Sequence, residues 1–83
     1  MYKGLVKVLI QPDVFDVQGQ TVQNSLENMG FDSINGIRVG RLVEVVLTHE
    51  TEDLAREKLT EMTEKLLANT VIEDYEIEIE KIS

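Results

Sequence analysis

The stretch "GFDSINGIRVGRLVEVVL", from Gly30 to Leu47, decides what kind of fold this chain can adopt. Both "FDSINGIRVG" and the following "RLVEVVLTHE" carry the aliphatic and β-branched residues of a strand, and Gly40, near the reversal between Val39 and Leu42, permits a tight turn. The expectation is a hairpin. Upstream, "MYKGLVKVLI" places Tyr2, Val6, Val8 and Ile10 on one face and Lys3, Leu5, Lys7 and Leu9 on the other, so both faces are partly apolar, as in a central strand. Pro12 ends that pattern, because it has no N–H for a ladder. Asp16 then stands where an N-cap belongs, Val22, Leu26 and Met29 follow at helical spacing, and Gly30 occupies the position of a left-handed C-cap.

Downstream, Ala55, Leu59, Met62 and Leu66 recur every three or four residues between Thr51 and Ala68, which predicts a second amphipathic helix. Glu52 with Arg56 and Glu61 with Lys65 add i,i+4 pairs in the favourable order. Asn69 can end that helix, after which Val71, Tyr75, Ile77 and Ile79 alternate with acids in a last strand. The order is β-α-β-β-α-β in one domain, residues 1–83. This predicts an α+β fold of the ferredoxin-like kind, an antiparallel sheet with two helices on one face, its first and third strands central.

A chain of 83 residues buries only about 60–65% of the surface its unfolded form exposes. With no cysteine to form disulfides, oligomerisation or docking on a larger partner is the remaining way to add stability. Sixteen acidic side chains against eight basic ones give a net charge of −8, a field that repels nucleic acid and anionic membrane surfaces. The amino end has neither the pattern of a signal peptide nor the length of a membrane span, so a cytoplasmic location is expected.

Few residues here could do chemistry. Glu76, Glu78 and Glu80 form a carboxylate row at alternate positions of the last strand. Neighbours in such a row stand about 7 Å apart and in water repel by only about 0.6 kcal/mol, so no metal is needed to hold them. A hard cation wants six or so converging oxygens, whereas one strand offers three parallel side chains. The expected partners are Lys3 and Lys7 on the first strand, beside which the last strand lies in this fold. His49 is the only histidine and has no cysteine or second histidine to complete a metal set, nor an activated nucleophile to serve.

Arg38 and Arg41 flank Gly40 without the glycine spacing of a phosphate loop, and are read as possible contact residues for a partner. Leu5 and Leu9 lie on the face of the first strand opposite the helices. The third strand adds either Leu42 and Val46 or Val43, Val45 and Leu47 to that face. The expected interface, for a homodimer or a larger homo-oligomer, is therefore Leu5, Leu9, Arg38, Arg41, Leu42 and Val46, with no catalytic, cofactor-binding or metal-binding residue.

Three stretches in order resemble a known family. "LLANTVIEDYEIEI", Leu66 to Ile79, is similar to the carboxy-terminal signature of PurS, the small subunit of phosphoribosylformylglycinamidine (FGAM) synthase. "DVFDVQGQTV", Asp13 to Val22, and "MGFDSINGIRVGRLVEVVL", Met29 to Leu47, resemble that family's first helix start and its glycine-phenylalanine and arginine-glycine strands. Val17 and Thr70 stand where the family usually has proline, which removes a preorganised first helical position but no reactive group.

The resemblance implies a non-catalytic subunit of a glutamine-dependent ligase of purine biosynthesis, converting formylglycinamide ribonucleotide, glutamine and ATP to formylglycinamidine ribonucleotide. Its partners would be a synthetase subunit of the PurL type, which uses ATP and Mg, and a glutaminase subunit of the PurQ type. The chain would join them and assist ammonia transfer. The alternative is a stand-alone ferredoxin-like regulatory domain binding a small metabolite between subunits, for which Gly19 near Asp16 offers a helix start. An acylphosphatase-type enzyme would need a phosphate-cradling loop with an arginine after the first strand, and "QPDVFDVQGQ" has none.

Overall fold

A computed structural model describes residues 1–83. The elements are β1 (Tyr2–Ile10), α1 (Val17–Asn28), β2 (Gly40–Leu47), α2 (Glu52–Met62), continued by a π-helical turn over Thr63–Leu67, and β3 (Glu73–Lys81). The sheet is antiparallel with order β2-β1-β3, so β1 is central as its doubly apolar pattern requires.

The core lies on one side of the sheet. Tyr2, Val6 and Val8 of β1 are buried there with Leu47, Ala55, Leu59 and Ala68. Val43, Val45, Tyr75, Ile77 and Ile79 close around them. Gly4 is essential to this packing, since a Cβ at its position would collide with the Leu59 side chain, which sits directly over it.

α2 begins at Thr51, whose hydroxyl accepts from Leu54 N at 3.1 Å, and Glu52 and Asp53 place negative charge in its first turn. Its buried line runs by fours through Ala55, Leu59 and Thr63. Met62 and Leu66, expected in the stripe, are instead exposed: the buried line passes through Thr63 rather than Met62, and beyond it the helix widens into a π turn in which Ala68 N bonds Thr63 O and Leu67 takes the inward position. The Thr63 hydroxyl is buried but satisfied, donating to Leu59 O at 2.8 Å. Lys65 pairs with Glu61 at 2.9 Å as expected, whereas Arg56 turns to the Ile77 carbonyl rather than to Glu52.

Two expectations fail, and for one reason. Residues 31–39 form no strand: no backbone group between Asp32 and Val39 bonds to another backbone group, and Gly40 starts β2 instead of turning a hairpin. The sheet consequently has three strands, and β2 is an edge rather than a central strand. Likewise only α2 covers the sheet, since α1 makes no packed interface with the strands or with α2. The chain continues from residues 31–39 into β2 without reversing, so α1 and that segment run off as an arm. The molecule measures 51 × 27 × 15 Å with a radius of gyration of 16.2 Å, against about 12 Å for a compact chain of this length.

Candidate functional site

The arm is an ordered unit built around Asp16. One carboxylate oxygen of Asp16 accepts from Gly19 N at 3.0 Å and caps α1, while the other accepts from Val39 N at 2.8 Å. These backbone bonds hold the Asp16 carboxyl below its ordinary value, Gly19 contributing most. Gly19 is buried because the Ile37 carbonyl lies where a Cβ would stand, and Gln23 donates to Ile34 O at 3.4 Å, so helix and extended segment travel together. Gly30 ends α1 at φ 101°, the left-handed conformation expected of it.

The arm's apolar side chains remain bare. Phe15, Val17, Met29 and Phe31 are each more than half exposed, and Val22 nearly so. An open cleft of about 790 Å³ lies between α1 and the extended segment, with Asp13, Gln20, Asn35 and Arg38 on its walls. The start of α1 holds no free anion site, because Asp16 already places a carboxylate on its first amides. This removes the physical basis on which Gly19 suggested a ligand pocket.

The second surface is the face of the sheet turned away from α2. The register puts Lys3, Leu5, Lys7 and Leu9 on it, flanked by Leu42, Glu44 and Val46 on one side and by Asp74, Glu76, Glu78 and Glu80 on the other. Lys3 stands 3.7 Å from Glu80 and 3.9 Å from Glu44, and Lys7 bonds Glu78 at 2.8 Å, so two of the three row carboxylates, Glu78 and Glu80, meet the lysines expected of them. The bond to Glu78 and the attraction of Glu78 and Glu76 hold the Lys7 ammonium above its ordinary value. No group of three or more His, Cys, Asp or Glu side chains converges in the geometry of a metal site.

The six expected interface residues divide. Leu5, Leu9, Leu42 and Val46 share the open face, and the choice between the two β2 sets is settled because Val43, Val45 and Leu47 turn to the core. Arg38 lies at the base of the arm, its guanidinium donating to Ile10 O at 3.3 Å. Arg41 points to the α2 side, where it bonds Glu73 at 2.7 and 3.0 Å and the Leu67 carbonyl. Sequence reasoning missed Glu73 altogether; its only signal was a carboxylate at the start of a strand otherwise read as an alternating face.

His49, half-buried between β2 and α2, has no side-chain hydrogen bond to a carboxylate or hydroxyl that would prepare it as a base. The family model for PurS, phosphoribosylformylglycinamidine (FGAM) synthase, matches residues 3–81. The chain belongs to the PurS family.

The PurS subunit of Bacillus subtilis is 42% identical over 82 residues, covering 99% of this chain and 96% of that protein. The PurS subunit of Methanocaldococcus jannaschii is 37% identical over 82 residues, covering 99% of both. The solved PurS of B. subtilis superposes with a TM-score of 0.87, covering 98% of this chain and all of that one. A chain in the structure of PurLQS from Thermotoga maritima superposes with a TM-score of 0.86 at 25% identity, covering 95% of this chain and 96% of that one. An arm that leaves the sheet is thus no obstacle to a PurS-like fold. No helix is long and apolar enough to cross a membrane.

Proposed function

We propose that this chain is a non-catalytic subunit of FGAM synthase that joins a PurL-type synthetase to a PurQ-type glutaminase and assists the passage of ammonia between them. ATP and Mg belong to the synthetase, and the whole assembly works in the cytoplasm. Family membership over residues 3–81 carries the reading. The naming of the relatives as subunits of that synthase and the T. maritima PurLQS structure support it.

The chain acts as a homodimer, and the arm is the part the second copy completes. β2 has a free outer edge, residues 32–39 make no backbone-to-backbone bond, and Val43 and Val45 are only half-covered beside α2. If residues 32–39 pair with the partner's β2 edge, its α1 can lie over Val43 and Val45, and each sheet regains the fourth strand and second helix of a ferredoxin-like fold. That segment's backbone and the bare Val22, Met29 and Phe31 are both satisfied at once.

The test is co-purification with the synthetase and glutaminase subunits of the same organism, with sedimentation of the chain alone. The expected results are a ternary complex with glutamine-dependent synthase activity, and a dimer at micromolar concentration that Val22→Asp with Met29→Asp dissociates. The isolated chain should show background glutaminase and ATPase activity. A monomeric wild type or the absence of a complex would refute the reading, and so would turnover by the chain alone that His49→Ala abolishes.

A further inference from the structure

The open sheet face is left uncovered by α2 and makes no part of the arm, and the register gives it a definite pattern. Lys3 lies between Val46 and Glu80, Leu5 between Glu44 and Glu78, Lys7 between Leu42 and Glu76, and Leu9 between Gly40 and Asp74. Apolar residues therefore occupy the β1 and β2 side, where Leu42 is 62%, Val46 55% and Leu9 36% exposed. The β3 side is a column of four carboxylates. Lys3 and Lys7 are already engaged with Glu44, Glu80 and Glu78, so Asp74 and Glu76 have no cation within 4 Å, although Arg38 borders the same shallow groove near Leu9.

We propose that this face docks a surface of another FGAM synthase subunit that combines an apolar centre with a row of Lys or Arg side chains, the row lying along Asp74, Glu76, Glu78 and Glu80. The inference rests on the proposed role as a bridging subunit and adds which face does the bridging. Charge decides between occupants. Five acids against two lysines and Arg38 leave the face negative on a chain of net charge −8, so stacking two copies here would press like charges together, whereas a basic surface neutralises them. Alternate residues of β3 stand about 6.8 Å apart, close to the roughly 6 Å between positions i and i+4 of a helix. A helix with basic residues at i and i+4 would meet two neighbouring carboxylates of the column while its apolar neighbours cover Leu42 and Val46.

Binding of the wild type and of Asp74→Lys with Glu76→Lys to the purified synthetase and glutaminase subunits tests this, with Leu42→Asp as a variant of the apolar half. Wild-type association should weaken at least tenfold between 50 and about 500 mM salt. The double reversal and Leu42→Asp should each weaken it at least tenfold, while circular dichroism and the dimer mass stay unchanged. Association with both variants as tight as wild type would overturn the docking face while leaving the bridging role intact. Loss of dimer mass in the reversal variant would overturn it in favour of self-association. A wild type that binds neither subunit removes both proposals.

Discussion

Arg41 and Glu73 form a two-pronged ion pair across the end of β1, with bonds of 2.7 and 3.0 Å, although they lie 32 residues apart. The pair closes the open end of the core: Arg41 also caps the Leu67 carbonyl after the π turn, and Glu73 accepts from Asn69 N at 2.7 Å. Arg41 first, then the Asn69 amide, hold the Glu73 carboxyl below its ordinary value of 4.5. A carboxylate with a depressed folded pKa stabilises the fold above its unfolded value. That contribution is given up as pH falls through the lower folded value, here below about 4.5. Glu73→Gln should cost about 1–2 kcal/mol at pH 7, moderated by the half-exposed guanidinium. The gap to wild type in thermal melts should narrow as pH falls below about 4.5; a constant gap would assign the cost to packing.

Asp16 joins α1 to residues 37–39 through a single carboxylate. Asp16→Ala removes the helix cap and the Val39 bond together, and should lower the melting temperature by about 4–8 °C. The readout specific to the arm is amide exchange, which should speed up over α1 and at Val39 while α2 stays protected. Equal acceleration in both helices would mean that the arm and the sheet unfold as one unit.

Gly4 leaves the space that Leu59 fills, with Ile79 close by. Leu59 is wholly buried, so its side chain can yield only by displacing its core neighbours. Gly4→Ala should therefore destabilise by about 1–3 kcal/mol despite the better strand propensity of alanine. Denaturant midpoints measure this directly, and an unchanged midpoint would show that the core repacks freely.

Glu78 and Glu80 of the carboxylate row are paired across strands with Lys7 and Lys3, and exposed neighbours about 7 Å apart repel only weakly, so the row should need no ion. Melts in calcium, magnesium or EDTA should overlay, and Glu78→Gln should shift the midpoint by less than about 4 °C, an effect shrinking with salt as Lys7 and Glu78 are screened. A metal-dependent gain in stability that Glu78→Gln removes would overturn this account, because a bound ion stabilises by mass action.

Much of this chain was legible from residues alone, because its signals are local. Alternation placed β1 in the centre of the sheet and faced Tyr2, Val6 and Val8 inward, and the same alternation paired the Glu78 and Glu80 side chains with Lys7 and Lys3. Asp16 and Gly30 bound the first helix through chemistry confined to a few neighbouring residues. What the tertiary structure alone decided is the path of the chain around Gly40. A glycine permits a reversal without requiring one, and the choice between hairpin and straight strand depends on whether residues 32–39 find a partner edge in their own chain. They do not, so α1 leaves the sheet, β2 becomes an edge, and Val43 and Val45 stay half-covered. The partner of Arg41 was hidden for the same reason: a contact across 32 residues is set by which strands end side by side, and no periodicity in the sequence records that.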